Sequence, residues 1–432
     1  MLYYSTNGSS ALADFKQATM LGQPPDGGLY FPERIPVVPH EVIRNLAAYE
    51  PADLAFQVIA PYVGDAIPEK ELRQIVAETV NFPFPLVPIT DNIHALELYH
   101  GPTLAFKDVG ARFMSRCLSY FIRDSGKKIT VLVATSGDTG SAVANGFYGV
   151  AGVEVVILYP SGKVSPVQEL QLTTYGGNIT ALEIDGSFDD CQRLVKQAFR
   201  DEALRSHCAL TSANSINVAR WLPQQFYYFF ALRAWANIDQ PPVIAVPSGN
   251  FGNLCAGLIA HLSGLPVAHF VAACNANDVV TAYLNGEGYH PKAPVVTISN
   301  AMDVADPSNF VRMLELFQKD IHAMQAKVSG YTIGEDETKQ AIGEVYVTTG
   351  YLMDPHGAVA YAGLRRYRDV HGEQPGILLE TAAPIKFADV VEPVIGKRLP
   401  MPGSLAELYG RQKQSVELAN DYAVLKEFLL KS

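Results

Sequence analysis

The sequence predicts an α/β protein built mainly on parallel strands, and three observations predict it. Short β-branched runs recur along the chain, each run ends in a loop rich in Gly, Ser, Thr or Asn, and each loop opens into a segment with helical spacing of apolar residues. Strand, loop and helix in series give parallel sheets covered by helices.

Taken in order, the first 80 or so residues contain a turn at Pro24-Pro25-Asp26-Gly27-Gly28 and helical patterning over HEVIRNLAAYEPADLAFQVIAPYVG, with no evident chemistry. After Lys107, Val109, Phe113, Cys117 and Phe121 recur every four residues, the spacing of a helix face. KITVLVA, VEVVILYP and NITALEID then read as strands, and Ser187 with Asp190 resembles a capping box opening a helix from about Phe188 to Leu204. PPVIAVP runs into SGNFGN and a helix at NLCAGLIAHL; GILLET runs into AAPIKF and a helix at ADVVEPVIG. Asp306-Pro307 and Asp354-Pro355 each combine an N-cap acceptor with proline for the first turn, and so predict two more helix starts. These segments form two α/β units whose loops converge.

Composition narrows the function. The chain has 432 residues, 48% hydrophobic and 18% charged, enough for about two to four packed domains. A formal net charge of −11 with no basic block argues against a nucleic-acid surface, and any anionic ligand must be held by local groups against the overall field. No apolar run approaches the roughly 20 residues that span a bilayer, and the start, MLYYSTNGSSALADF, lacks a signal-peptide pattern. A cytoplasmic location without membrane partners is therefore expected. The five cysteines, 117, 191, 208, 255 and 274, are odd in number and widely spaced, and read as thiols with no metal-ligand pattern.

Loops between strands and helices carry the chemistry of such folds, because ligands bind at the carboxyl ends of parallel strands where helix N-termini present free N–H groups. Ser248, Gly249, Asn250, Phe251, Gly252 and Asn253 fit a phosphate cradle, although the same residues also make an ordinary tight turn. Neither a G-x-G-x-x-G fingerprint nor a P-loop is present. In Ala134–Gly140, Thr135, Ser136 and Thr139 could hold a carboxylate, or Asp138 or Thr139 could simply cap the helix. In SANSINVAR, Asn214, Ser215 and Arg220 suit a phosphate; if the segment is helical, Ser215 and Arg220 lie within one and a half turns, and a surface salt bridge is the alternative for Arg220. Lys107 follows the apolar Leu104-Ala105-Phe106 run: it either snorkels to solvent or, held in an apolar site, stays neutral and able to form an imine.

GPTLAFKD, ATSGDTG, SANSINVAR, PSGNFGN and SNAMDVADPSNF, in this order, resemble the threonine synthase family over essentially the whole chain, including GLYFPE near the start. The resemblance implies the tryptophan synthase β-like fold (fold type II) of pyridoxal 5'-phosphate enzymes: two three-layer α/β units plus a helical N-terminal domain. The expected division is 1–80 for the helical domain, 81–125 with 225–400 for the large cofactor-binding unit, 126–224 for a smaller, mobile unit, and 401–432 for a helical tail. The implied reaction is a β,γ-replacement turning O-phospho-L-homoserine and water into L-threonine and phosphate, with Lys107 as Schiff-base lysine and proton shuttle. The implied cofactor contacts are Gly249 to Asn253, with Ser248 at their head, for its phosphate; Thr381 for its pyridine nitrogen; and Asp138 near its 3-hydroxyl. Thr135, Ser136 and Thr139 would take the substrate carboxylate, and Asn214, Ser215 and Arg220 its phosphate.

One departure, one retained histidine and two rivals complete the reading. Where the family has T-A-H-P-A-K-F, this chain has Thr381-Ala382-Ala383-Pro384-Ile385-Lys386-Phe387, with Ala383 in place of histidine. His356 keeps the family's Asp-Pro-His pattern, where a structural role is the plainer reading than a chemical one. A dehydratase or phospholyase of the same fold, and a metabolite-binding protein without turnover, are the alternatives. Either a monomer or a dimer is compatible with the sequence.

Overall fold

Along each predicted strand, successive side chains divide between two different cores. A computed structural model describes residues 1–90, 92–123 and 128–431. Its strands, in chain order, are β1 (Leu2–Ser5), β2 (Ala13–Asp14), β3 (Tyr30–Pro32), β4 (Leu86–Thr90), β5 (Ile93–Glu97), β6 (Ile129–Ala134), β7 (Val153–Pro160), β8 (Ile179–Ile184), β9 (Ala209–Ser212), β10 (Val243–Pro247), β11 (His269–Cys274), β12 (Val328–Thr332), β13 (Gly376–Glu380) and β14 (Ser415–Leu418). In β10, Ile244 and Val246 enter one core while Val243 and Ala245 enter another. In β6, Val131 and Val133 separate in the same way from Leu132 and Ala134. A sheet buried on both faces needs apolar side chains at every position, which is why these strands read as continuous hydrophobic runs.

Two three-layer units result. The larger sheet has the order β12-β11-β10-β13-β5-β4, parallel throughout except for the antiparallel β4–β5 pair. The smaller sheet is wholly parallel, in the order β14-β8-β7-β6-β9. The expected boundary between residues 125 and 126 falls on 124–127, outside the described residues.

Several local expectations are corrected. The first 80 residues hold, besides helices, the antiparallel sheet β2-β1-β3. The tail is not purely helical: β14 pairs in parallel with β8, from Ser415 opposite Ala181 to Leu418 opposite Ile184. The helix expected over 188–204 breaks at Asp201, whose extended backbone and side chain, accepting from Leu204 N–H at 3.0 Å, restart a second helix over Glu202–His207. Asp306-Pro307 starts no helix. Asp306 accepts the Tyr289 hydroxyl at 2.8 Å instead, and the helix begins at Phe310. Asp354 caps its helix as expected, accepting from His356 N–H at 2.8 Å and Gly357 N–H at 3.3 Å.

Candidate active site

Five strand-to-helix loops meet at the carboxyl ends of β5, β6, β9, β10 and β13, around a cavity of about 130 Å³. Lys107, Ser136, Thr139, Asn214, Ser215 and Arg220 line it, together with Gly249 to Asn253 and Thr381. Three expected residues do not reach it: Thr135, Asp138 and Ser248 are buried behind the wall.

Lys107 opens the helix Lys107–Ile122, whose Val109, Phe113 and Cys117 are fully buried. The segment before it is pinned across to β13's end: Phe106 N–H donates to Thr381 O at 2.8 Å, Leu98 N–H to Glu380 O at 2.9 Å, and Leu104 sits in the left-handed region at φ 56°. Such a backbone is costly for leucine and persists because the surroundings fix it, as at many functional sites. Lys107 borders the cavity, yet dense walls strip its amine of water, and this desolvation pulls its pKa below the usual lysine value. Asp138 opposes that shift, while Lys386 and Arg220 add to it.

The 248–253 loop is a cradle by construction. A Cβ on Gly249 would stand 2.6 Å from Met302 Cα, a backbone atom, so only glycine permits this approach there; one on Gly252 would stand 3.2 Å from Asn309 Nδ2, a tight contact. Phe251 takes φ 61°, and the helix Gly252–Leu262 follows; Leu254 N–H donates to Asn253 Oδ1 at 2.9 Å, while the Gly252 and Asn253 N–H groups have no partner among the described residues. Ser248 is turned inward, its hydroxyl donating to Val246 O at 2.9 Å. The Asn253 amide donates to Pro247 O at 2.7 Å, which leaves its backbone, not its side chain, for a ligand.

On the opposite wall, Thr135 has a structural task. Its Oγ1 accepts from Gly137 N–H at 2.9 Å and Gly140 N–H at 2.8 Å, so it, rather than Asp138 or Thr139, satisfies the start of the helix Asp138–Phe147. Ser136 and Thr139 line the cavity, and their hydroxyls have no hydrogen-bond partner among the described residues. The 212–217 segment is not helical; Asn217 caps a short helix, Val218–Trp221, so Ser215 and Arg220 meet the cavity from a loop and from a helix. Ser215 Oγ accepts from Asn250 Nδ2 at 3.0 Å and Asn309 Nδ2 at 2.9 Å, and its own O–H remains to donate. Arg220 donates through Nε to Ala213 O at 2.6 Å and through Nη1 to Lys107 O at 3.0 Å. It has no carboxylate partner among the described residues, and burial brings its pKa down to about 10. A buried guanidinium without a counter-ion is strongly favoured by an arriving anion.

Several residues escape sequence reasoning. Lys386 is buried, with Nζ 2.7 Å from Asp138 Oδ1 and 2.9 Å from Thr103 O. Burial pushes the Asp138 carboxyl up, but Lys386 and Lys107 outweigh it and hold it well below the ordinary range. Arg312, fully buried, donates to Ser215 O at 2.8 Å and Ile216 O at 2.7 Å, and lies 4.0 Å over the Trp221 ring. His356 does line the cavity: its Nδ1 bonds Asp354 Oδ1 at 2.5 Å, and its Nε2 accepts from Ala301 N–H at 3.2 Å. Behind it, burial and the Asp354 charge push the Glu380 carboxyl up. The motif signal for Asn300 to Val304, which form one wall, was present in SNAMDVADPSNF; Lys386 and Arg312 gave none beyond a cation inside an apolar run. Gln224 also lines the cavity, with Oε1 unpartnered. Ala383 packs with Val167, Ile385 and Leu405 in an apolar cluster.

Comparison with known proteins agrees with this geometry. Residues 83–379 match the family model described as pyridoxal-phosphate dependent enzyme, residues 2–80 that of the threonine synthase N terminus, and residues 357–429 that of the threonine synthase C-terminal region. The chain is 45% identical to threonine synthase of Haemophilus influenzae over 97% of each chain, and 43% identical to that of Escherichia coli over 100% of this chain and 99% of the relative. Its structure is similar to the crystal structure of Escherichia coli threonine synthase, with a TM-score of 0.94, 41% identity and complete coverage of both chains. It is also similar to pyridoxal phosphate-bound threonine synthase from Brucella melitensis, with a TM-score of 0.93, 35% identity, and coverage of 100% and 99%. With a fold shared from end to end, and a desolvated lysine beside a glycine-lined anion cradle, the chain belongs to the threonine synthase family of pyridoxal phosphate-dependent enzymes.

Proposed function

We propose that this enzyme converts O-phospho-L-homoserine and water into L-threonine and phosphate, with Lys107 as its base. The observation that carries the reading is the meeting of two desolvated basic side chains, Lys107 and Arg220, at one cavity where the carboxylate that acts on the lysine among the described residues, Asp138, is already paired with Lys386. Buried positive charge in excess calls for anionic ligands.

The residues present fit pyridoxal phosphate: the backbone of Gly249 to Asn253 would hold its phosphate, Thr381 its pyridine nitrogen, and Lys107 its aldehyde carbon. Bound there, it supplies the electron sink that acidifies the substrate's Cα and Cβ protons. Asp138, paired with Lys386, is buried behind the cavity wall and would act on the cofactor's 3-hydroxyl only through that pair. Ser136 and Thr139 orient the substrate carboxylate. Arg220 and the Ser215 hydroxyl take its phosphate, with the Asn214 amide partly committed to Ala134 O at 3.2 Å. Lys107 Nζ, whose pKa desolvation lowers, takes in its unprotonated form a proton from Cα and one from Cβ, and returns protons to Cγ and Cα. Phosphate leaves Cγ as Arg220 stabilises its charge, water adds its hydroxyl at Cβ, and the proton that water gives up is balanced by the one the departing phosphate takes.

In the same reading the smaller unit, 126–224, carries the substrate-binding loops and moves against the larger one. Five free cysteines, four of them buried, support a reducing, cytoplasmic setting.

The test is release of phosphate together with L-threonine from O-phospho-L-homoserine, with serine and threonine as comparison substrates. Lys107→Ala is expected to remove turnover by at least about 10³-fold and to abolish the borohydride-fixed adduct on its peptide. Undiminished threonine formation by that variant would overturn the assignment.

A further inference from the structure

Beside the cavity lies a cleft of about 780 Å³, between the 20–29 segment and the helices Phe188–Arg200 and Glu202–His207. It shares Ala134, Gln192, Asn214 and Asn250 with the cavity, so it joins the cavity at Asn214, assigned above to the substrate phosphate. Lys196, Arg200 and Arg205 line it; all three are exposed, and none has an ion-pair partner among the described residues. Lys196 and Arg200 are four residues apart and therefore share a helix face, while Cys191, Leu194, Val195 and Ala198 are buried in the core of the smaller sheet.

This grouping runs against the rest of the molecule, in which 44 acids outnumber 33 lysines and arginines. The acid that lines the cleft, Asp26, is turned to its own loop, accepting from Ser5 Oγ at 2.6 Å, Ser9 N–H at 3.0 Å and Gly28 N–H at 3.0 Å. Asp201, between the two helices, is paired with Lys426 at 2.6 Å. A neighbouring cleft of about 450 Å³ is different. It shares Lys196 and Arg200 and adds Arg193 and Lys292, but Asp189, Asp303 and Asp306 stand against those four cations, whereas Asp26 alone lines the larger cleft.

We infer that the 780 Å³ cleft is the approach path for the phosphorylated amino acid and the exit path for inorganic phosphate, with Lys196, Arg200 and Arg205 drawing the dianion toward Arg220. The inference rests on the function proposed above. In a chain of net charge −11 a dianion is repelled at long range, and a local basic wall is what raises its concentration at the mouth.

The experiment is the ionic-strength dependence of kcat/KM for the holoenzyme and for the triple variant Lys196→Gln, Arg200→Gln, Arg205→Gln. At about 20 mM ionic strength the variant is expected to lose about 10-fold in kcat/KM with kcat unchanged, and the gap closes toward 0.5 M as screening shortens to about 4 Å. Binding of inorganic phosphate to the holoenzyme, read by calorimetry, should weaken in the variant with the same salt dependence. Equal kcat/KM and equal phosphate binding at low salt would overturn the inference, as would a deficit that persists at high salt. If wild-type enzyme releases no phosphate from O-phospho-L-homoserine but binds inorganic phosphate with this salt and variant dependence, the substrate assignment fails and the basic path stands.

Discussion

Lys386 is held with its ammonium between the Asp138 carboxylate and the Thr103 carbonyl, 2.7 and 2.9 Å away, with no exposure to solvent. Its charge reaches Lys107, lowering that amine's pKa, while Asp138 acts in the opposite sense. Lys386→Met removes the depressing cation and leaves a buried carboxylate unpaired, so Lys107 becomes easier to protonate. Because the reaction uses the neutral amine, the acid limb of the kcat/KM profile is expected to move to higher pH, and the fold to lose about 3–5 kcal/mol. Lys386→Arg should keep the position of the limb, since the charge is retained; an unmoved limb in Lys386→Met would show that the pair is only a brace. Neither lysine betrays this in sequence. Lys386 lies 279 positions from Lys107, and only the fold makes one charge a neighbour of the other.

At the scale of the element, the tail behaves as part of the smaller sheet. β14 is four residues long, and its middle positions are exposed, so SVEL gives almost no strand signal on its own. The helix after it, Tyr422–Lys431, places Leu425 and Leu429 in the core formed by Leu182, Ile184 and Leu194. Lys413 reinforces the join, reaching Glu169 and Glu183 at 2.7 Å each. Leu425→Ala is expected to cost about 2–5 kcal/mol, read as a lower denaturation midpoint; no change would mean that the tail contributes nothing to the sheet. The predicted strands KITVLVA, VEVVILYP, NITALEID, PPVIAVP and GILLET all form, because doubly buried strands write their burial into every residue. Asp306-Pro307 misled for the converse reason: a capping pattern is a local preference, and the Tyr289 hydroxyl claimed its acceptor.

For the whole molecule, the decisive quantity is charge placement. The chain is acidic overall, yet Lys107, Arg220, Arg312 and Lys386 are gathered at and behind one cavity, against one closely paired acid, Asp138. Desolvation lowers the pKa of Arg220 to about 10 and that of Arg312 to about 9, and neither has an ion-pair partner among the described residues. Removing pyridoxal phosphate takes away an anion that this centre is built around. The apoprotein is expected to melt several degrees below the holoenzyme, and inorganic phosphate at high concentration should restore part of the difference, whereas chloride at equal ionic strength should not. Identical melting curves would indicate that the cations are balanced without the cofactor.

The sequence by itself determined the α/β class, the main parallel strands, the family, and the loops that carry the chemistry, because each is written in contiguous residues: a run of β-branched side chains, a glycine where a Cβ cannot fit, a lysine at a helix start. Which members of those loops face the ligand was decided by tertiary structure alone. Thr135 and Ser248 turn inward to backbone partners, Asp138 is taken by a lysine from the far end of the chain, and His356 closes a wall through Ala301. The physical reason is that a polar side chain goes to whichever partner satisfies it at least cost in burial, and those partners are brought near only when the two sheets have packed.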